Sequence, residues 1–115
     1  MSNPSHAIQA YKTGARLRSH RDQEADVFRQ AVAGLRSARN SAPIQKIRAL
    51  ADNRRLWMMV HDLMRDPRNA LPEPLRASIV SVGLSVQREM DQDQPDFDFL
   101  IGINESMAAG LAGQP

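Results

Sequence analysis

The chain has 115 residues, a formal net charge of +2 and no cysteine, which excludes disulfides and thiolate chemistry. Hydrophobic residues make up 42% of it, enough for one modest core, so we expect a single domain over residues 1–115 rather than a multi-domain enzyme. No apolar run approaches the ~20 residues of a membrane span, and the N-terminal stretch lacks the apolar segment of a cleavable signal. We therefore expect a cytoplasmic protein that does not contact the membrane.

The charge is unevenly distributed along the chain. Residues 1–55 contain eleven Lys or Arg and four Asp or Glu, a balance of +7, whereas residues 56–115 contain four and nine, a balance of −5. Such an asymmetry either steers an acidic partner toward the first half or reflects complementary charges on helices of one bundle. Because basic helical faces are usually just solvated, we favour the second interpretation.

The first 42 residues predict two helical segments. A weakly ordered helix is expected within residues 1–18, where Gly14 interrupts a short apolar stripe. Ser19 stands three residues before Asp22, a variant of the capping box, and predicts that a second helix begins near residue 20. The predicted apolar positions of that second helix are Val27 or Phe28, Ala31, Leu35 and Ala38.

A helical hairpin over residues 44–90 is the centre of the predicted fold. Pro43 suits the first turn of its first helix, which should end at Asp66-Pro67, because a residue before proline is disfavoured in the α region. The apolar side of this helix is predicted to begin with Ile47, Leu50 and Ala51. Residues 56–64 are then hydrophobic on more than one face. Such a helix is central in the bundle or offers one face to another molecule.

The second half of the chain predicts two further helices. Pro72 and Pro74 fit a helix start, and the following stripe consists of Leu75, Ile79, Val82, Val86 and Met90. Asp96 is a plausible cap for the last helix, whose apolar side contains Phe97, Leu100, Ile101, Asn104, Ala108 and Leu111, before a loose tail at residues 112–115. No segment alternates as a strand would. The predicted fold class is all-α, a compact bundle of about four to five helices.

Two residues interrupt these helical patterns. Asn104 lies within an apolar stripe, so it either bonds an adjacent helix end within the bundle or marks a polar point on a binding surface; buried amides normally find partners, which favours the first. Gly83 lies in the middle of a helix at a cost of about 1 kcal/mol relative to alanine. We expect another backbone to approach closely there.

The acidic connection before the last helix does not predict a calcium site. An EF-hand loop beginning at Asp91 would have Pro95 at its fifth position, Asp96 in place of the glycine and Gly102 in place of the final glutamate. The three histidines lack a second His or Cys at metal-ligand spacing, and no glycine-rich phosphate loop or nucleophile elbow is present. We expect no metal, no cofactor and no enzyme activity.

A basic cluster next to the only tryptophan suggests a binding surface. Arg54 and Arg55 beside Trp57 permit nucleic-acid binding, although the aromatic residues do not interleave with the basic ones and no RNA-binding signature is visible. The alternative is that these arginines pair with acidic neighbours such as Asp52, Asp62 or Glu73.

Three blocks of the sequence resemble one known family. NRRLW at residues 53–57, LPEPLRASIVSVGLSV at residues 71–86 and LIGINESMAAGL at residues 100–111 are similar to the FlaF family of alphaproteobacterial flagellar proteins. An earlier block is also similar to that family: Tyr11, Thr13, Ser19, Arg21, Glu24 and Ala25. Here Ser19-His20 replaces the Ser-Pro pair of the family, which weakens a helix start without altering the resemblance.

The resemblance implies a small cytoplasmic regulator of flagellin production, and hence a role in flagellum biogenesis and bacterial motility. Members of the family are needed for flagellin synthesis or secretion, act alongside the antagonistic regulator FlbT, and are thought to bind flagellin. A small helical bundle with a broad apolar helix is compatible with this role, because it can cover an amphipathic helix of an unassembled partner. The oligomeric state does not follow from the sequence.

We expect the partner-binding site beside Trp57, where apolar side chains would form a groove for a flagellin helix and arginines its rim. Trp57 either anchors this interface or fills the core, and helical spacing does not distinguish the two. One alternative function is post-transcriptional regulation of flagellin mRNA, directly or with FlbT; another is a structural subunit of a larger complex. The predicted partner-binding residues are Asn53, Arg54, Arg55, Trp57, Met58 and His61.

Overall fold

A computed structural model of the protein describes the backbone of residues 4–113 and the side chains of residues 21–113. Within that part, the chain forms four α-helices and no strand: α1 (Pro4–Ala38), α2 (Pro43–Arg65), α3 (Glu73–Met90) and α4 (Phe97–Leu111). The all-α prediction is confirmed. The weak order expected of residues 1–18 and the loose tail expected at residues 112–115 stay predictions; the side chains of residues 1–20, and residues 114 and 115, lie outside the described part.

The helices pack as neighbours in a ring that is closed on three sides. α1 packs along α4 and α2, α2 packs on α3, and α3 scarcely touches α4. α1 and α4 are antiparallel, since Arg39 at the end of α1 pairs with Asp98 at the start of α4, whereas Arg36, one turn earlier in α1, pairs with Glu105, two turns later in α4. The predicted hairpin is present as α2 and α3.

Prolines and one carboxylate set the ends of α2. Pro43 occupies the first turn, and Asp66, before Pro67, leaves the helix with φ −68° and ψ 124°. The Asp66 carboxylate then accepts hydrogen bonds from the Arg68 backbone N–H at 2.9 Å and from its guanidinium at 3.0 and 3.1 Å. These bonds lower the pKa of the Asp66 carboxyl below its ordinary value, because they favour the charged form. The corner between α2 and α3 is thus fixed by local chemistry.

The starts of α3 and α4 also agree with the sequence. Pro72 occupies the N-cap position of α3 without a side-chain hydrogen bond, and Pro74 lies in the first turn, where a missing N–H is not needed. Asp96 caps α4 by accepting a hydrogen bond from the Phe99 backbone N–H at 3.1 Å.

The predicted helix start near residue 20 is wrong, because α1 is continuous from Pro4 to Ala38. Ser19 is followed by histidine rather than proline, so nothing at this point prevents the preceding residues from remaining helical. Gly14 weakens a helix by about 1 kcal/mol, which is not enough to end one.

The core lies where the four helices meet. Leu35 of α1, Trp57 of α2, Val86 of α3 and Leu100 of α4 are all no more than 1% exposed. In α1, where the sequence left two positions open, Phe28 is buried and Val27 is 42% exposed. The rest of the predicted stripe of α1 is buried or partly buried.

Three predicted core positions are instead exposed. Ile47 and Ala51 of α2 lie on the surface because each is two residues, or about 200° around the helix, from buried Ala49 and so faces away from the core. Leu75 of α3 is 46% exposed, on a helix that makes little contact with α4.

Candidate functional site

The residues predicted to form the site surround the side chain of Trp57, which belongs to the core. Trp57 is 1% exposed, and the Phe28 ring meets its indole edge-on, with centroids 5.9 Å apart and planes at 72°. Of the two roles that the sequence left open for Trp57, the structure places it in the bundle interior.

Two buried amides hold the indole in place. Trp57 Nε1 donates to Asn104 Oδ1 at 2.9 Å, and Asn104 Nδ2 donates to Asn53 Oδ1 at 2.7 Å. Asn53 Nδ2 donates to Met90 Sδ at 3.4 Å, so the chain of contacts joins α2, α3 and α4. Both asparagines are 0% exposed, and no buried side-chain polar atom in the described residues lacks a partner. Asn104 therefore bonds side chains of α2 rather than a helix end, and Asn53 is a core residue.

The pairing of the two asparagines was not predicted from the sequence. The only signal was their position: each is an amide on an otherwise apolar helical stripe, and Asn53 precedes Trp57 by one turn. A buried amide needs a partner, and a second buried amide supplies a donor and an acceptor together.

Gly83 makes the close approach that its position predicted, but to a side chain. A Cβ added there would lie 3.3 Å from Cε3 and 3.7 Å from Cζ3 of Trp57. The expected backbone neighbour is therefore wrong: α3 approaches the six-membered ring of the indole at Cε3 and Cζ3 instead. Between Asn104 and Gly83, the ring has little freedom to move.

A shallow cleft opens between α2 and α3 above this ring. Its volume is about 10 Å³, room for about one water molecule, so it fits the tip of a side chain rather than a small-molecule ligand. Its lining consists of Trp57, Val60, His61, Ile79, Val80, Gly83, Leu84 and Gln87.

Exposed apolar side chains border the cleft. Leu84 forms part of its wall and is 49% exposed. Met58 follows Trp57 by about 100° around α2 and is 53% exposed. We call the cleft together with Met58, His61 and Leu84 the hairpin face. Trp57 forms the floor of this face and the other three side chains form its surface.

The two predicted rim arginines already have acidic partners. Arg54 pairs with Asp91 at 3.0 Å, joining α2 to the end of α3, and Arg55 pairs with Asp52 one turn away. The sequence suggested Asp52 as a possible partner of these arginines, but it did not suggest Asp91. Both pairs are well exposed, so each stabilises the fold by at most about 1 kcal/mol and can exchange partners. His61 Nδ1 lies 3.8 Å from Asp62 and is partly exposed.

Ion pairs between helices account for part of the charge asymmetry of the chain. Among the side chains of residues 21–113, basic residues of the first half meet acidic residues of the second in three places: Arg36 with Glu105, Arg39 with Asp98 and Arg54 with Asp91. Internal complementarity, the interpretation that the sequence favoured, is therefore present.

The described residues set limits on other kinds of site. Among them, no group of three or more His, Asp or Glu side chains could hold a metal ion. None of the helices, as far as the structure describes them, is long and apolar enough to cross a membrane. Of the six predicted site residues, Asn53 and Trp57 are thus buried, and the other four lie at the surface around them.

Comparison with known proteins identifies one family. The family model described as "Flagellar protein FlaF" matches residues 7–111, nearly the whole chain. No curated protein and no solved structure matches this chain.

Proposed function

The chain belongs to the FlaF family of flagellar proteins, and from that premise we propose that it binds newly made flagellin as a secretion chaperone or adaptor. Through this binding it regulates flagellin biosynthesis and flagellum assembly. The observation that supports the proposal is the hairpin face, an exposed apolar surface with a shallow cleft over a rigid indole.

The chemistry of this face suits an amphipathic helix. Met58 and Leu84 give it apolar surface on both helices of the hairpin, and the flexible thioether of a methionine adapts to a partner of imperfect shape. One apolar side chain of the partner would enter the cleft, and neighbours at helical spacing would cover Met58 and Leu84. Acidic side chains on the flank of the partner helix would meet Arg54 and Arg55, in competition with their present partners.

In this arrangement Trp57 contributes rigidity rather than contact area. Its indole is hydrogen-bonded to Asn104, so the floor of the cleft has one shape before the partner arrives. A preformed surface reduces the entropy that is lost on binding. We therefore place the direct contacts at Met58, His61 and Leu84.

Adjacent methionines of α2 provide the test. Met58 and Met59 are 53% and 52% exposed but point in directions about 100° apart, so only Met58 borders the hairpin face. We expect Met58→Glu to weaken flagellin binding at least about tenfold, a loss of roughly 1.4 kcal/mol, and Met59→Glu to leave it within about twofold. Titration calorimetry with a flagellin variant that cannot polymerise measures both. Equal effects of the two substitutions would remove the hairpin face from the mechanism.

A second candidate is regulation of flagellin mRNA, alone or with FlbT. One observation favours it: Lys46 and Arg48 of α2 have no ion-pair partner among the side chains of residues 21–113, and could contact phosphates. Against it, the only tryptophan is buried, so its face cannot stack on a base. Phosphate contacts weaken steeply with added salt and apolar ones do not, so binding to a flagellin mRNA leader at two salt concentrations separates the candidates.

A further inference from the structure

The outward side of α2 carries apolar side chains that the bundle does not cover. Ile44 and Ile47 are 51% and 61% exposed, and Ala51, one turn after Ile47, is also exposed. Asn53 is fully buried, and Ile44 lies nine residues, or two and a half turns, before it, so the two project from opposite sides of the helix. The first half of α2 therefore has a second apolar stripe, opposite to the one that packs in the core.

The spacing of this stripe is that of a helix–helix contact. Residues at i, i+3, i+4 and i+7 surround a hole on a helix surface, and a side chain of a second helix packs into such a hole. On α2 these positions are Ile44, Ile47, Arg48 and Ala51, and all four residues are exposed. We call them the outer patch. The two isoleucines and the alanine give the hole apolar walls, and Arg48 gives it one charged edge.

Two unpaired cations lie at the same end of α2. Lys46 and Arg48 make no ion pair with any acidic side chain that the structure describes. The first turn of α2 contains no acidic residue, and Ala42 at its N-cap makes no side-chain hydrogen bond. Cations near a helix N-terminus oppose the helix dipole, which favours negative charge there. Acidic groups of a bound partner would interact favourably with the cations and with the dipole, so the charge of this end complements an acidic partner.

Three other occupants fit these observations less well. A two-fold symmetric contact between copies of the chain would bring the outer patch against itself, and the like charges of the two Arg48 side chains would approach each other. The phosphates of an RNA would gain from Arg48 but not from the isoleucines. A membrane of anionic lipids would meet the exposed carboxylates of Asp52 and Asp62 on the same helix, which oppose its charge.

We propose that the outer patch binds a single α-helix of a partner protein, with an apolar stripe that packs against Ile44 and Ile47 and with acidic residues beside that stripe. A carboxylate on the flank of this helix pairs with Arg48. The site is separate from the hairpin face, because Met58, the first exposed residue of that face on α2, lies seven residues, or about 10 Å, beyond Ala51.

A designed peptide and isoleucine methyl NMR test the outer patch directly. The probe is a helical peptide of about 18 residues with leucine at i, i+3, i+7 and i+10 and glutamate beside the leucines; the control peptide has lysine in place of glutamate. Ile44 and Ile47 report on the outer patch, and Ile79, which lines the cleft, reports on the hairpin face. We expect saturable shifts at Ile44 and Ile47 with the glutamate peptide, and at least about tenfold weaker binding of the lysine peptide there.

Two exposed arginines form a matched pair of variants. Neither Arg48 nor Arg88 pairs with a described acidic side chain, and glutamate at either position lowers the net charge equally. We expect Arg48→Glu to weaken binding at Ile44 at least about tenfold and Arg88→Glu less than about twofold, which separates a contact from an effect of net charge. Ile47→Gln should weaken it at least about fivefold, whereas Leu63→Gln, at an exposed apolar position near the other end of α2, should leave it within about twofold.

Several results would overturn the proposal. They are the absence of saturable shifts at Ile44 and Ile47, equal effects of Arg48→Glu and Arg88→Glu, and a loss with Arg48→Glu but not with Ile47→Gln, which would indicate charge attraction alone, as for RNA. Shifts at Ile44 that depend on protein concentration without peptide would assign the outer patch to a second copy of the chain. Binding to phosphatidylglycerol vesicles that Ile47→Gln abolishes would assign it to a membrane. Ile79 reports separately on the hairpin face, so failure here is distinct from failure of the proposed function.

Discussion

Replacing Asn104 with alanine should be among the most damaging single substitutions in the bundle. The change leaves Trp57 Nε1 without its acceptor and Asn53 Oδ1 without its donor, both in fully buried surroundings. Each unsatisfied buried group costs about 1–3 kcal/mol, which gives a loss of about 2–6 kcal/mol. A chain of this length has a free energy of unfolding of roughly 6–17 kcal/mol, so the variant should fold but with greatly reduced stability.

Urea denaturation followed by far-UV circular dichroism measures this loss. With a slope of about 1–3 kcal/mol per molar urea, the midpoint should fall by at least about 0.7 M. Asn40→Ala, which changes an exposed amide, is the control and should stay within about 0.5 kcal/mol of the parent. Asn53→Ala combined with Asn104→Ala should lose less than the sum of the single losses, by about 1–3 kcal/mol. A loss below about 1 kcal/mol for Asn104→Ala, or strict additivity, would refute the amide chain as a stabilising unit.

Two further predictions concern stability. Gly83→Ala gains about 1 kcal/mol of helix propensity but crowds Trp57 at 3.3 Å, and overpacking typically costs 1–3 kcal/mol, so we expect a net loss of about 1 kcal/mol. Gly34→Ala is the control: the added Cβ meets nothing within 4 Å, so the variant should gain up to about 1 kcal/mol of stability in the same urea assay. An equal gain for Gly83→Ala would show that Trp57 can move away from the added methyl group without cost. For Asp66, the bonds from Arg68 hold the folded-state carboxyl pKa below its unfolded value, so their stabilisation is present above the ordinary pKa of 3.8 and is lost as pH falls through the folded-state pKa. The stability difference between the parent and Asp66→Asn should therefore shrink as pH falls below 3.8, and a difference that is constant with pH would contradict this account.

The helix boundaries that the sequence predicted well are those set within a few residues. Pro43, Asp66-Pro67 and Asp96 each act on the turn in which they stand, through a fixed φ, a steric restriction or a side-chain cap, so the sequence is sufficient to place them. The prediction of a helix start near residue 20 was wrong because a capping pattern allows a helix to begin there but does not require the preceding helical segment to end.

What the sequence could not supply were contacts between distant positions. Asn53 and Asn104 are 51 residues apart, and only the folded bundle shows that each amide is the partner of the other. Periodicity likewise predicted that Leu75 faces the core, because it detects an apolar flank but not whether a neighbour covers it. The same limit applied to Trp57, whose indole is in contact with Phe28 from α1, a residue 29 positions earlier in the chain.

The family model covers residues 7–111, so the flagellar assignment rests on nearly the whole chain, whereas the partner-binding residues remain predictions. In the proposed mechanism the predicted residues have two roles: Trp57 forms a rigid floor, whereas Met58 and His61, together with Leu84, which the sequence did not predict, form the contact surface. Different measurements separate the two roles. Substitutions at Trp57 should lower the free energy of unfolding, whereas substitutions in the contact surface should weaken partner binding alone.

The most direct test of the central claim is titration of the purified protein with full-length flagellin that cannot polymerise, at low and at high salt. The account predicts a dissociation constant that is micromolar or tighter and changes little between the two salt concentrations, because apolar contacts at the hairpin face dominate. Absence of binding at both concentrations would contradict flagellin capture by this protein.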